Sequence, residues 1–551
     1  MNPLFDMQLQ DTLKGVFRLV VPEIALVGTA CVVFLFGCIC NRRWLWFTVS
    51  FMGVILAMIL AGTVKTPTPE LLTSASIVPD ATANFVRWVA LISGAVLLFI
   101  SWPEVSRSTA AEYYGCLLVA VAGASLVGRA NDLITLFLAL ELISIPTYIL
   151  LYLPVRTKLN QEAAGKYFLL SVVSSAVMLF GFSYLYGLTG STNLAVITDT
   201  LTKANAETLS PMALVGIVLF IGGIGFKITA VPFHFYAPDV YEGGPAGVVA
   251  MLAVLPKLAG FVALARVLGL VGSDTRHIPF DASTQLPLLL WILAVLTITL
   301  GNVLALLQDN IRRMLAYSSV AHGGYMLIGI VVACSMPDAT GTTVMFDGAA
   351  KVIGPSVGGI DALFVYLAAY GLMTFGAFAV ILYLSTPERQ VDSIDDLAGI
   401  GQTHPISAGS MTIFLFSLIG LPLTAGFAGK LMLFMGAFTA PADTATMRNL
   451  YRVLAVVAAV NAAIGAYYYL RVIGVMYLRT ALKPIQSSRS APTLIGAMVL
   501  AGATLFFGFY PQPLVNAARK AAPVPEIPVD LDASRGGTAT NHTNTPNMFG
   551  D

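Results

Sequence analysis

The stretch GFKITAVPFHFYAPDVYEGGP, Gly225 to Pro245, completes a run of fourteen uncharged residues (Ala213 to Phe226) and then places Lys227 directly after it. Pro232 and His234 follow within seven residues. An ammonium group and a helix breaker at the end of an apolar run have two explanations. Either the membrane ends there and the lysine reaches water, or the lysine does chemistry inside the membrane.

Composition sets the context. The chain has 551 residues, 57% of them hydrophobic and 11% charged, with a mean hydropathy of +0.82. Soluble proteins carry about 25% charged residues, so this is a polytopic membrane protein. A net charge of +1 gives no reason to expect nucleic acid or another polyanion as partner. Cys31, Cys38, Cys40, Cys116 and Cys334 have no metal or iron–sulfur spacing. The five histidines, 234, 277, 322, 404 and 542, form no ligand pair at helical spacing. No metal and no bound cofactor (haem, flavin or cluster) is therefore expected in this chain. The first apolar run starts near Leu19 without a short cleavable signal pattern, and is expected to be retained as a span.

Apolar runs of about 20 residues fall at 19–40, 44–63, 84–102, 112–128, 131–153, 164–187, 211–231, 246–271, 285–307, 314–334, 360–385, 405–437, 449–479 and 492–512. The expected fold is all-α and polytopic, with about fourteen transmembrane helices. One set of short loops holds Arg42, Arg43, Arg107, Arg156, Lys158, Arg312, Arg313, Arg389, Arg479, Lys483 and Arg489; the opposite set holds fewer basic residues, such as Arg129, Lys203 and Arg276. The first set is expected to be cytoplasmic, which puts both termini outside. The tail after Pro513, rich in Pro, Ala, Thr and Asn, is expected to bury no core and to be disordered at its end.

Four of the charges inside these runs stand out. Glu141 sits within NDLITLFLALELISIPTYILLYL, Lys257 within GVVAMLAVLPKLAGFVALARVL, and Lys227 and Lys430 within the seventh and twelfth runs. Each costs about 2.5–3.5 kcal/mol at a helix centre on the insertion scale. Packing supplies no reason to keep them. The bland alternatives are snorkelling for Lys227 and Lys430, or structural ion pairs for all four. His322, on one face with Ser318 and Ser319, is either a relay group or a satisfied packing residue. The same two readings apply to His234, and Lys166 is either a relay group or merely interfacial. Burial weakens an ammonium's hold on its proton and a nearby carboxylate restores it. One carboxylate with three buried amines is thus a set of proton sites that can be switched electrostatically. Sodium fits less well, because it needs several oxygen ligands and the lysines repel it.

The seventh run pairs Lys227 with Pro232, and the twelfth, SLIGLPLTAGFAGKLMLF, pairs Pro422 with Lys430. Interrupted apolar helices in corresponding positions point to inverted repeats, and the freed carbonyls must be covered by protein or water.

The segments LITLFLALELISIPTYILLY, EAAGKYFLLSVVSSAVMLFGFSYLYGLTGSTNL, GFKITAVPFHFYAPDVYEGGP, LGNVLALLQDNIRRMLAYSSVAHGGYMLIG and GLPLTAGFAGKLMLF resemble the antiporter-like membrane subunits of respiratory complex I, the proton-pumping NADH–quinone oxidoreductase. PDVYEGGP favours the N type over L and M. The resemblance implies fourteen core helices, with the seventh and twelfth broken at Pro232 and Pro422. It implies three N-terminal helices in 1–110, two inverted five-helix repeats in 111–275 and 276–480, and a last helix with a disordered tail in 481–551. It assigns Glu141, Lys227, Lys257 and Lys430 to a proton relay, with His322 between the central and distal lysines. Other membrane-arm subunits would be the partners. NADH, FMN, iron–sulfur clusters and quinone would belong to other chains, and a bacterial inner membrane would be the location. The sequence departs from the resemblance at Ala246-Gly247 and Pro256, around the eighth helix, and in the long loop 335–360 with Lys351. A homologous subunit of a membrane-bound hydrogenase or multisubunit cation/proton antiporter, or a stand-alone secondary transporter, is the alternative.

Overall fold

A computed structural model describes residues 3–63, 75–153, 157–204, 210–271, 285–334, 343–346, 349–352, 359–386, 389–440, 445–480, 487–488 and 490–522. Expectations for Arg156, Arg276, His277, Lys483, Arg489, the 523–551 tail and the loop around 335–342 and 353–358 fall outside these residues.

The helices are α1 (Pro3–Gly37), α2 (Arg43–Thr63), α3 (Ala81–Ile100), α4 (Ala110–Val127), α5 (Leu133–Tyr152), α6 (Lys158–Thr189), α7 (Leu194–Ala204), α8 (Pro211–Lys227), α9 (Ala237–Gly243) and α10 (Ala246–Val267). They continue with α11 (Gln285–Leu306), α12 (Ile311–Cys334), α13 (Ile360–Leu384), α14 (Ile400–Thr403), α15 (Pro405–Ile419), α16 (Ala425–Thr439), α17 (Ala445–Leu478), α18 (Ala491–Phe509) and α19 (Gln512–Ala521). Among the described residues, twelve helices are long and apolar enough to cross a membrane alone. The seventh span is instead the short α8 with the irregular chain after it, and the twelfth is divided between α15 and α16. With these two the count reaches the expected fourteen. Between α12 and α13 lies a short hairpin, β1 (Thr343–Phe346) with β2 (Ala349–Val352), antiparallel, Val344 opposite Lys351.

Every residue of α10 is buried, and α12 and α13 are buried over nearly their whole length. They form the core column. Around it, α5, α6, α8 and α11 turn one face outward, with Ile134, Leu138, Leu169, Val173, Val215 and Leu296 exposed. An apolar outer face suits hydrocarbon, and in that medium every backbone group needs a partner within the protein.

Both interruptions meet that requirement. After α8, Thr229 takes a left-handed φ of +57° and the Val231–Pro232 peptide is cis. The freed Val231 N–H donates to Thr297 Oγ1 on α11 at 3.1 Å, and Tyr236 Oη donates to the Phe226 carbonyl at 3.0 Å. After α15, Gly420 has φ +88° and Leu423 φ +70°, and the Gly426 N–H donates to Ser417 Oγ at 3.0 Å. A Cβ on Gly426 would collide with the Ser417 carbonyl, so only glycine lets α16 start this close to the end of α15.

The chain just past the last span corrects one expectation. Gln512–Ala521 is helical and buries Val515, Ala518 and Ala521. Thr82 Oγ1 of α3 donates to the Ala521 carbonyl at 2.5 Å. The run LVNAARKA spaces its apolar residues at three and four, which is the helical signal that the Pro, Ala and Thr content obscured.

Candidate functional site

Glu141 lies mid-way along α5, one turn before Ser144. Its Oε1 accepts a hydrogen bond from Ser175 Oγ of α6 at 2.6 Å and stands 3.6 Å from Lys227 Nζ. The ammonium's own hydrogen bond goes to Ser144 Oγ at 2.5 Å. Lys227 is 3% exposed and is the last residue of α8. The helix therefore stops where its lysine meets the carboxylate.

Gly260 of α10 packs on this end of α8: a Cβ there would lie 3.5 Å from Lys227 Cβ and closer still to Ile228. Lys257 is one turn before Gly260 on the same helix face and is 1% exposed. Its ammonium donates to the hydroxyl and the carbonyl of Ser319 on α12. It also sits 5.2 Å from the Tyr370 ring centre, within cation–π range. Tyr370 Oη donates to the same Ser319 Oγ at 2.8 Å, and Tyr241 Oη of α9 lies 3.0 Å from it.

His322 follows one turn along α12 and is 2% exposed. Nδ1 lies 2.6 Å from Tyr366 Oη of α13 and Nε2 3.1 Å from Tyr469 Oη of α17. Tyr469 Oη is in turn hydrogen-bonded to Ser318 Oγ. Lys430 of α16 is buried and donates to the carbonyls of Leu418 and Ile419 at 2.8 and 2.9 Å. Those carbonyls are orphaned by the end of α15, where the helix dipole is negative. Lys430 Nζ also lies 4.9 Å from the Tyr325 ring centre. The structure thus joins Glu141 to Lys227, and joins Lys257, His322 and Lys430 to one another through Ser319 and the rings of Tyr370 and Tyr325. Between Lys227 and Lys257 it shows packing at Gly260 and, among the described residues, no hydrogen bond.

Two further candidates lie apart from this series. Lys166 is paired with Glu162 at 2.7 Å and Asp239 at 2.5 Å, its side chain 40% exposed. Arg313 joins the same cluster, 3.0 Å from Asp239 and 2.6 Å from Glu242. Burial raises the Asp239 carboxyl, but Lys166 and Arg313 outweigh it and hold the group below its ordinary value. His234 lies half-buried in the break after α8, its ring 6.4 Å from that of Tyr317. Among the described residues no hydrogen bond joins it to the lysines. The charges of PDVYEGGP are therefore tied to Lys166 and Arg313, while its tyrosine reaches the Lys257 partner.

Sequence reading missed two groups of ionisable residues. Glu23 of α1 pairs with Arg87 of α3 at 2.8 Å, both buried, and Ser125 of α4 donates to Glu23. Arg129 and Arg266 are buried alongside, Arg266 bonding Asp80 at 2.8 Å. A charge inside each of the first and third apolar runs was the available signal. The second is Glu104, in the α3–α4 loop. It accepts the Gly247 N–H at 2.9 Å, at the start of α10. Burial pushes its carboxyl up to about 7, against amide hydrogen bonds from Gly247 and Ala246 and the charge of Arg312, which pull it down. No spacing in the sequence connects 104 with 247.

Residues 130–455 match the family described as NADH:quinone oxidoreductase/Mrp antiporter, TM. The chain is similar to NADH-quinone oxidoreductase subunit N of Trichlorobacter lovleyi, 38% identical over 81% of this chain and 85% of that one. It is 35% identical to NADH-quinone oxidoreductase subunit N 2 of Chloroherpeton thalassium over 94% of this chain and 96% of the other. In structure it is similar to a chain of the Thermus thermophilus respiratory complex I solved with bound aureothin. The TM-score there is 0.70 at 27% identity, covering 90% of this chain and 99% of that one.

Proposed function

The chain belongs to the NADH:quinone oxidoreductase/Mrp antiporter membrane family, and from that premise we propose how its buried charges move protons. It is a subunit N of NADH–quinone oxidoreductase, a multi-pass proton-translocating part of an oxidoreductase complex. The hydrogenase, antiporter and stand-alone transporter alternatives are not favoured. In our reading Glu141, Lys227, Lys257 and Lys430 are the protonatable stations, and His322 connects the last two. The observation that carries this reading is the row of buried groups: Glu141 paired with Lys227, and Lys257, His322 and Lys430 joined through serine and tyrosine side chains, the two parts meeting where α10 packs on the end of α8 at Gly260.

Each station offers a different counter-group. Lys227 has a carboxylate 3.6 Å away, Lys257 has neutral hydroxyls and a carbonyl, and Lys430 has the end of a helix. Moving charge at one station alters the field at its neighbours, so a proton arriving at Lys257 favours release from Lys227 and Lys430. Electron transfer from NADH to quinone would occur in other subunits and act on this series from the Glu141 end. The chain itself would hold no flavin, cluster or metal. Both ends of the series lie near outward-facing apolar side chains, Leu138 and Ile145 on α5, Leu431 and Met435 on α16. These are the faces that neighbouring membrane subunits would cover. The loops with Arg312, Arg313 and Arg389 would face the cytoplasm of a bacterial cell, with both termini outside.

The test is Lys257→Arg and Lys257→Met in the assembled complex, with proton translocation measured per NADH oxidised in sealed membrane vesicles. Guanidinium does not release its proton near neutral pH, so both variants should lose most translocation while the complex assembles. Wild-type translocation by the arginine variant would overturn the titrating role.

A further inference from the structure

We propose that Tyr469 and Tyr366 are relay groups, and that with His322 they form a hydroxyl–imidazole–hydroxyl bridge passing one proton at a time between the Lys257 and Lys430 halves. This rests on the relay reading above and extends it to residues outside the lysines. The geometry is specific. Both ring nitrogens of His322 are held by phenol oxygens, one from α13 at 2.6 Å and one from α17 at 3.1 Å. Tyr469 reaches back to Ser318, beside Ser319, the acceptor of Lys257. Tyr366 lies on the Lys430 side: its ring edge packs against Gly429, where a Cβ would come within 2.6 Å, and Gly429 adjoins Lys430, so a water between the Tyr366 hydroxyl and the lysine would complete the path. The imidazole is also flanked by the rings of Tyr370 and Tyr325 at 5.3 and 5.8 Å. The charged groups on those two sides are Lys257 and Lys430. Among the described residues no carboxylate hydrogen-bonds the ring.

A neutral imidazole has one N–H and one bare nitrogen, and a phenol can donate and accept. With both nitrogens held, one tyrosine must donate to the ring while the other accepts from it. Transfer then balances. The donating phenol gives its proton to the bare nitrogen and takes a replacement from its own outer neighbour. The opposite N–H bond breaks, its proton goes to the accepting phenol, and that phenol releases its own hydroxyl proton to its outer partner, which is Ser318 on the Tyr469 side and a water molecule leading to the neutral Lys430 amine on the Tyr366 side. Each group forms one bond to hydrogen and loses one, and no electrons change hands. The ring is left as the other tautomer. The bridge therefore carries a second proton in the same direction only after the tautomer resets. A structural histidine would need neither phenol proton.

The experiment places phenylalanine at 366 and at 469 in the full complex, with Tyr114→Phe as control. Tyr114 is buried in α4, and its hydroxyl has no hydrogen-bond partner among the described residues. Assembly, NADH oxidation and protons translocated per NADH are measured on the same vesicles. Tyr366→Phe and Tyr469→Phe should assemble and lose at least fivefold in translocation, and Tyr114→Phe should keep wild-type values. Fluorotyrosine at 366 or 469 keeps the shape and the hydroxyl but makes it more acidic. It should restore translocation and change its solvent deuterium isotope effect. Normal translocation by both phenylalanine variants, or a fluorotyrosine chain with the wild-type isotope effect, overturns the bridge. A His322→Leu variant separates the two readings. If it loses translocation while the phenylalanine variants keep it, the tyrosine proposal fails and the lysine relay stands. If His322→Leu itself translocates normally, the relay through His322 fails, and the bridge with it.

Discussion

Lys227 and Glu141 form a buried ion pair 3.6 Å apart, and Ser144 Oγ also accepts from the ammonium at 2.5 Å. The carboxylate supplies the countercharge, and the serine helps fix where the ammonium points. Glu141→Gln should remove the countercharge and cut translocation to below about a tenth, with the complex assembled. Glu141→Asp should be milder, since it keeps the charge. The pair should show a coupling of about 0.5–3 kcal/mol in a double-mutant cycle of Glu141→Gln and Lys227→Met on thermal stability of the purified complex. Strictly additive effects would mean that the two groups are neighbours without being partners.

Lys430 has no carboxylate partner among the described residues and uses the end of α15 instead. Gly420 makes this possible in two ways. Its φ is +88°, and a Cβ would lie 2.8 Å from Lys430 Cδ. Gly420→Ala should therefore cost about 1–2 kcal/mol from the left-handed backbone, beyond any displacement of the lysine. Lower thermal stability together with reduced translocation is the expected result. A wild-type melting temperature would show that the Gly420 region relaxes freely.

Much of this arrangement was legible in the sequence because burying a charge in apolar surroundings is expensive enough to stand out. Glu141, Lys257 and Lys430 were visible as interruptions of runs that otherwise read as spans. Pro232 and Pro422 marked the irregular segments because a proline removes a backbone donor, although α8 already ends at Lys227, five residues before Pro232. The tyrosines were not legible. Tyr366, Tyr370 and Tyr469 sit in apolar runs as ordinary amphipathic residues, and only tertiary packing aims their hydroxyls at His322 and Ser319. The same holds for Ser144 and Ser175, whose hydroxyls reach Lys227 and Glu141.

Glu104 gives a pH test outside the membrane spans. Its carboxyl is raised from 4.5 to about 7, chiefly by burial. The groups facing it are the Gly247 and Ala246 amides, Arg312 and Tyr113. The folded chain holds this proton more tightly than the unfolded one. Stability should therefore fall as pH rises through the window from about 4.5 to 7, and level off above it. Glu104→Gln keeps an acceptor for the Gly247 N–H and removes the titration. Melting temperatures of the purified complex between pH 5 and 8 should fall with pH in the wild type, and less steeply in the variant. Parallel curves would show that Glu104 is ionised throughout.

Glu23 and Arg87 form a bidentate pair inside the first and third helices, with Arg87 Nε and Nη2 at 2.9 and 2.8 Å from the carboxylate. Arg87 Nη2 also donates to the Leu19 carbonyl at 2.6 Å, which fixes α1 against α3 in rotation as well as distance. The pair touches none of the Glu141–Lys430 series, so its role should be structural. Removing one partner of a buried pair leaves a charge uncompensated and costs about 3–5 kcal/mol, whereas replacing both with apolar groups is far cheaper. Arg87→Met and Glu23→Met should each lower the amount of assembled complex severely, and the double variant should recover most of it. Whatever complex does assemble should translocate the wild-type number of protons per NADH. Recovery of assembly without recovery of translocation in the double variant would mean that the pair belongs to the proton path and not to the scaffold alone.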